Sequence, residues 1–373
     1  MESRDMRRDG KRVNFYVNGR FLSKTMTGVE RYAGELVSAL DAVLAEEGAG
    51  GDRWTVLAPP GTERAGPWRH IALRTGGRGT GHFWEQLSLP GMAADGVLLN
   101  LANSGPVRHP RSFTVIHDAI VYRMPRLFSF RYRTLHQGLG LALSRRSRLG
   151  TVSAFSRDEL SGVLGLDPER IRVVPNGADH LGRTPPDREI LDRLGLRHDG
   201  FLLFVGSHAP HKNLQRALEA FAAIEAHDRR FVIVGSSNAG VFGKAAAVLP
   251  TGALAAGRLE DAEIAALYAH ATALVFPSLY EGFGIPPLEA MSYGCPVLAS
   301  DIPPIREVCA DAARYFDPER TDDIARVLAH AVGAGREGLA QSEAAERRLK
   351  AFDWRASARI LREEAHRTAQ AGR

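Results

Sequence analysis

Cysteine is almost missing from this 373-residue chain, which carries only Cys295 and Cys309. Two thiols make no disulfide framework and their surroundings hold no metal-ligand spacing, so both are expected to be reduced, as in a cytoplasmic protein. No apolar run approaches the ~20 residues of a membrane-spanning helix. The opening MESRDMRRDGKRVNFYVNG is charged and lacks the apolar core of a secretory signal. The chain is therefore expected neither to cross a bilayer nor to be exported by that route. GxGxxG is absent after Val17 and after Val205, which counts against an NAD or FAD enzyme. The loop GSSNAG (235–240) imitates the GxxxxG of a P-loop, but Val-Phe follows where Lys-Ser/Thr is required, so a Walker ATPase is set aside. Neither an Asp-x-Asp in a suitable loop nor a His/Cys cluster is visible, and no metal or other cofactor is expected.

Acidic residues are missing from one long window. Between Ala119 and Arg157 there is no Asp or Glu, yet Arg123, Arg126, Arg131, Arg133, Arg145, Arg146, Arg148 and Arg157 fall there, in a chain whose net charge is only +5. Aromatics interleave the first part, YRMPRLFSFRYRTL. Such a segment suits nucleic acid, an anionic membrane surface or a phosphorylated acceptor, or is a solvated face with nothing bound. No nucleic-acid reader motif accompanies it.

What is present describes a folded α/β protein. Hydrophobic residues make up 44% and charged residues 24%, ordinary values for a soluble fold. The length exceeds one comfortable core, which predicts two domains. Apolar, β-branched runs predict strands at 13–18, 54–59, 96–102, 113–118, 149–154 and 171–177. After a polar hinge at 179–199 the pattern restarts, with strands at 201–206, 231–235, 273–277 and 296–300. Helical spacing through Leu44, from Asn213 to Ala226, over 259–271 and over the alanine-rich 322–348 falls between or after them. Alternating strands and helices, occurring twice, predict two Rossmann-like, doubly wound domains. Their bounds are set at 1–180 and 181–354, with a polar amphipathic helix at about 355–373 packing back on the first.

In parallel sheets ligands bind where strands hand over to helices. In VGSHAPHKNL a strand ends at Gly206 and Lys212 stands at the entry of the next helix, well placed for a phosphate. In LYEGFGIPPLEAMSYGCPVLAS, Glu281 lies in a loop whose Gly282 and Gly284 permit close backbone approach. Pro286 and Pro287 suit the first turn of the following helix, which puts Glu289 on that helix. The amides of Phe283, Gly284 and Ile285 would then face an anion, while a carboxylate holds a sugar diol. A helix cap for Glu289 and a solvent loop for Glu281 explain the spacing equally well.

These stretches resemble, in order, the retaining nucleotide-sugar glycosyltransferases of family 4, the group 1 type, with its E-x7-E signature and two-domain GT-B fold. The resemblance runs from about residue 13 to 355 through GRFLSKTMTGVERYAGEL, HFWEQLSLP, TVIHDAIVYRMPRLFS, TVSAFSRDEL, VVPNGADH, VGSHAPHKNL, GRLEDAEIAALYAHA and SLYEGFGIPPLEAMSYGCPVLASDIPPIREV. It implies that Glu289 binds the donor's ribose and that Glu281 faces the transferred sugar beside the amides of 283–285. Lys212 would neutralise the diphosphate, with Gly206 and Ser207 also at the donor. Gly28 would admit the phosphates and acceptor, His117 would reach the sugar, and Asp118 is expected to be structural. One departure stands out: many relatives carry an Arg shortly before the Lys, where this chain has Gly206, Ser207 and His208. Ser207 or His208 is left to hydrogen-bond in its place.

The resemblance further implies a metal-independent hexosyltransferase acting at the cytoplasmic face of the membrane in surface-polysaccharide or glycolipid assembly. Its partners would be a nucleotide sugar and a glycan or lipid-linked acceptor, without nucleic acid. Mannosyl transfer from GDP-mannose is favoured, with rhamnosyl and glucosyl transfer open. Arg123, Arg126, Arg131 and Arg133 are assigned to the acceptor or to peripheral contact with anionic membrane. A non-hydrolysing sugar-nucleotide epimerase, a natural-product glycosyltransferase and an inactive nucleotide-sugar-binding subunit share the fold and remain alternatives.

Overall fold

The computed structural model describes residues 12–63, 66–180, 184–224, 229–235 and 249–371. The tail at 1–12, the hinge at 179–199, the end of the helix expected to reach Ala226 and the GSSNAG loop lie wholly or partly outside the described residues. The chain divides into two compact units. One comprises Met1–Val115, Ala142–Leu149 and Ala358–Arg373; the other comprises Ile116–Leu141 and Gly150–Ser357.

The strands are β1 (Asn14–Asn18), β2 (Arg53–Ala58), β3 (Ala72–Thr75), β4 (Val97–Asn100), β5 (Ser112–Val115), β6 (Arg148–Thr151) and β7 (Ile171–Val173). They are followed by β8 (Phe201–Val205), β9 (Arg230–Val234), β10 (Ala253–Gly257), β11 (Ala273–Phe276), β12 (Val297–Ser300) and β13 (Arg314–Phe316). One sheet has seven strands in the order β3-β2-β1-β4-β5-β6-β7, the other six in the order β10-β9-β8-β11-β12-β13. β1 lies parallel to β2 and β4, and β8 parallel to β9 and β11. Each sheet winds outward from its first strand in both directions, so the order reverses between β1 and β4 and between β8 and β11. Those are the points where the loops diverge and leave a crevice.

The principal helices are α1 (Gly28–Glu47), α2 (Gly81–Leu87), α3 (Phe130–Arg146), α4 (Ala154–Leu164), α5 (Leu214–Ala222) and α6 (Asp261–His270). After them come α7 (Ile285–Ser292), α8 (Pro303–Cys309), α9 (Thr321–Leu339), α10 (Ser342–Ala351) and α11 (Trp354–Ala371). Helices on a parallel sheet bury both its faces, which is why β8 and residues 231–234 of β9 read as unbroken apolar runs. In the second unit Leu202, Phe204, Phe231 and Ile233 meet Leu214, Leu218 and Phe221 of α5 and Ile324, Val327 and Leu328 of α9. In the first, Tyr16, Leu57 and Leu98 pack on Trp84 and Leu89.

The two-Rossmann architecture is as expected. The three strands that patterning missed, β3, β10 and β13, are all edge strands. β10, ALAAG, holds only alanine, leucine and glycine in place of β-branched or aromatic residues, and β13, RYF, is too short to show a pattern. α11 buries Trp354, Ala358, Leu361 and Ala365. From Ala358 onward it belongs to the first unit, where Arg359 Nε meets Glu47 Oε1 at 2.7 Å. Cys295 and Cys309 are free and buried. Burial pushes their thiols up, to about 11 and about 12.

Candidate active site

Two loops leave the switch point of the second sheet. The first, after β8, makes a single 3-10 turn at Pro210–Lys212 and then places Asn213 in the left-handed region at φ 58°. Asn tolerates that conformation, and the buried side chain also holds the loop, donating from Nδ2 to the Pro277 carbonyl at 3.0 Å and the Pro318 carbonyl at 2.8 Å. The Leu279 amide donates to the His211 carbonyl at 2.7 Å, joining this loop to the one that follows β11.

Lys212 Nζ and Glu281 Oε1 are thereby brought to 2.6 Å, with side chains 19% and 10% exposed. The ammonium also stands over the Phe276 ring, 5.7 Å from its centroid. Neither neighbouring histidine adds a cation. Burial lowers His208, and burial together with the Lys212 charge lowers His211 to about 4 against the pull of Glu281, so His211 is neutral at physiological pH. Gly206 and Ser207 lie at the half-buried end of β8. Gly235, at the end of β9, has φ 130°, and a Cβ there would come within 1.9 Å of the Gly206 carbonyl oxygen. The first residue of GSSNAG is thus glycine because two backbones meet.

The EGFG turn is seated by backbone contact. A Cβ on Gly282 would lie 2.4 Å from the His117 carbonyl oxygen and 3.0 Å from Asp118 Cβ. The Gly282 carbonyl accepts from Ser153 Oγ at 2.5 Å and from Ser156 Oγ at 2.9 Å, and Ser156 Oγ also lies 2.9 Å from the His117 carbonyl. Glu307 of α8 accepts the amides of Ala154 and Phe155, which start α4, at 2.7 and 2.9 Å. His117 is buried beside this junction. Asp118 accepts the Ile120 amide at 2.9 Å, the structural part expected of it. It also belongs electrostatically to the site: burial and then Glu281 raise its carboxyl, while Lys212 lowers it.

Gly284, at φ 99°, precedes α7, and Pro286 and Pro287 occupy its first turn. The first amides of a helix have no intrahelical acceptor, so those of Gly284 and Ile285 stand at a potential anion site. Phe283 is buried edge-on against Phe352, centroids 5.2 Å apart. Glu289 is buried on α7. Its Oε1 lies 3.1 Å from His180 Nε2 and its Oε2 accepts from the Tyr268 hydroxyl at 3.1 Å. Patterning missed both partners, along with Ser153 and Ser156, because polar residues scattered through the chain have no periodicity to betray them.

His117, Lys212, Glu281 and the 283–289 segment all belong to the second unit, whereas Gly28 is the exposed first residue of α1 in the first. The first unit holds its own buried cluster near the ends of β1 and β4. Glu85 Oε1 accepts from Asn18 at 2.8 Å, Arg20 at 3.0 Å and Ser104 at 2.9 Å, and Oε2 meets His82 Nδ1 at 3.0 Å. Burial opposes ionisation of Glu85, but His82, Arg20 and Asn18 together hold its carboxyl below the usual range. Of the four segregated arginines, Arg123 forms a two-pronged pair with Glu159, at 2.6 and 2.9 Å. Arg126 and Arg131 are exposed, and Arg133 lies over the Phe130 ring at 5.6 Å. Among the described residues no group of three His, Cys, Asp or Glu side chains is placed to hold a metal ion.

Residues 188–347 match the family described as "Glycosyl transferases group 1". The chain is 29% identical over 267 residues to O-antigen chain mannosyltransferase B of Escherichia coli, covering 67% of this chain and 68% of that protein. It is 28% identical over 184 residues to O-antigen chain mannosyltransferase RfbU of Salmonella typhimurium, covering 48% of this chain and 50% of that one. In fold it is similar to sucrose-phosphate synthase from Thermosynechococcus elongatus, with a TM-score of 0.70, 16% identity and coverage of 97% and 100%.

Gly282→Ala should lower the unfolding free energy by about 1–3 kcal/mol, because the new methyl meets backbone. Gly138→Ala, in α3 with nothing within 4 Å of the added Cβ, should be neutral or stabilising by up to ~1 kcal/mol. Urea unfolding of the two variants side by side checks the contrast.

Proposed function

We propose that the chain is a group 1 glycosyltransferase that moves a mannosyl unit from GDP-mannose to a glycan or lipid-linked acceptor, retaining the anomeric configuration. The supporting observation is the meeting of Lys212 and Glu281 at 2.6 Å, at the switch point and beside the start of α7. A parallel sheet offers a phosphate site there, and the chain puts a cation, a carboxylate and helix-end amides into it. That both relatives described above are named O-antigen mannosyltransferases supports mannose as the sugar and surface-polysaccharide assembly as the setting.

In this reading the donor's diphosphate displaces Glu281 from Lys212. A diphosphate carries more negative charge than one carboxylate and offers more oxygens to the ammonium. Glu281, released, faces the transferred sugar's hydroxyls, and Glu289 holds the ribose. As the bond between the anomeric carbon and the diphosphate oxygen breaks, the acceptor oxygen bonds to that carbon on the same face. The acceptor's proton passes to a phosphate oxygen of the leaving group. Lys212 and the amides of 283–285 meet the developing charge by electrostatic preorganisation, without a resident metal. His117 serves the sugar, and Gly206 and Ser207 serve the phosphates.

The acceptor side rests on Arg126, Arg131 and Arg133 with their aromatic neighbours, which suit a lipid-linked sugar diphosphate at the cytoplasmic face of an anionic membrane. Among the described residues no helix is long and apolar enough to cross a membrane. Phe130, 71% exposed, and Leu135, 49% exposed, stand on α3 among those arginines. That mixture of apolar and cationic side chains fits a membrane surface.

Lys212→Ala and Glu281→Ala should each lower mannosyl transfer by about 100-fold or more, whereas Glu289→Ala should chiefly raise the donor's KM. Steady-state kinetics with GDP-mannose, carried out in EDTA, tests all three roles and the lack of a metal. Wild-type turnover in the Lys212 variant would remove its leaving-group role. Flotation with liposomes should show binding that grows with anionic lipid and weakens in Arg126→Ala/Arg131→Ala. Binding indifferent to lipid charge would count against the membrane assignment.

A further inference from the structure

The loop that follows β7 carries the sequence Pro-Asn-Gly-Ala-Asp-His, residues 175–180. Three contacts seat it on Phe352 and on Trp354, the first residue of α11. Gly177 lies so close to Trp354 that a Cβ would fall 2.4 Å from the indole Cγ and 2.5 Å from the Trp354 amide nitrogen. The Ala178 amide donates to the Phe352 carbonyl at 3.0 Å. Trp354 Nε1, which can only donate, points at His180 Nδ1 from 3.3 Å.

That last contact decides the state of the imidazole. A donor facing Nδ1 requires a lone pair there, so the ring's proton sits on Nε2. Nε2–H in turn faces Glu289 Oε1 at 3.1 Å. On the other oxygen the carboxylate accepts from the Tyr268 hydroxyl of α6 at 3.1 Å. His180 and Trp354 are themselves buried. A carboxylate has roughly four lone-pair sites, so two donors fix its plane and leave further acceptor capacity for a vicinal diol.

We propose that His180 is a positioning residue for donor binding: held in its Nε2–H form by Trp354, it orients Glu289 toward the two ribose hydroxyls of a nucleoside diphosphate. The assignment rests on the reading above in which Glu289 holds that ribose. Tyr268 supplies the second fixed point. The rotational freedom of the carboxylate is removed before the donor arrives, so less of it is lost on binding.

Isothermal titration with GDP and UDP, and with their 2′,3′-dideoxy forms, separates this role from a structural one. His180→Leu should weaken GDP or UDP binding about tenfold, ~1.4 kcal/mol, and leave the dideoxy forms at wild-type strength. The donor KM should rise with kcat within about twofold, since ribose binding is shared by ground state and transition state. His180→Gln, whose amide nitrogen reaches the Nε2 position, should restore binding; His180→Asn, which reaches only the Nδ1 position, should not. If His180→Leu does not fold, the Gln and Asn variants decide alone. Equal losses on ribo and dideoxy nucleotides, equal rescue by Asn and Gln, or no loss in His180→Leu would each overturn the proposal. Glu289→Ala with unchanged GDP and UDP binding would instead overturn the ribose reading, and this assignment with it. A weakened Glu289→Ala beside an unaffected His180→Leu would overturn the role of His180 alone.

Discussion

The ion pair between Lys212 and Glu281 is the contact on which the site's organisation turns. Its members are 69 residues apart in the chain and stand on separate loops, so the pair exists only because β8 and β11 lie side by side. Two charges so little exposed to water would each be costly to bury alone, and at 2.6 Å each is the other's partner. Around them the backbone has few choices. Asn213 turns the first loop through the left-handed region and ties it to the exit of β11, while Gly282 lets the second loop lie against the His117 carbonyl. The pair is therefore not a surface ornament worth a few tenths of a kcal/mol. It closes a crevice that the sheet order creates.

Much of this was legible in advance because parallel sheets announce themselves. β8 and the Phe231–Val234 part of β9 are apolar throughout, and Gly206, Pro210, Lys212 and Asn213 follow β8. Strand order decides which loops share a crevice, and the Lys-Asn and Glu-Gly-Phe-Gly stretches, which only the family resemblance assigned to one donor site, meet there through Lys212 and Glu281. Three of the four edge strands, β3, β10 and β13, were not legible. A three-residue segment such as Arg314–Phe316 has no period to detect, and its extended form comes from pairing with β12 rather than from its own composition.

Harder to foresee was the fate of polar side chains. Arg123 was assigned, with Arg126, Arg131 and Arg133, to an acceptor or membrane surface, yet it finds Glu159 two residues beyond the end of the acid-free window. Glu85, on a short helix, gathers Asn18, Arg20 and Ser104 into a buried cluster that no spacing rule would assemble. Such networks depend on three-dimensional closure, and the chain displays only their members. The same holds for Asp118, which caps a turn as expected but also feels the charges of Glu281 and Lys212.

The two cysteines add a practical consequence. Both are buried, with thiols held up at about 11 and about 12, so at neutral pH each is a thiolate far less than one part in a hundred of the time. Alkylating dyes and spin labels react with the thiolate and need access to it. The native chain is thus a nearly silent background for such reagents. A single cysteine introduced on the exposed face of α3 would report, by fluorescence or paramagnetic relaxation, what that helix meets, without first stripping the protein of its own sulfur.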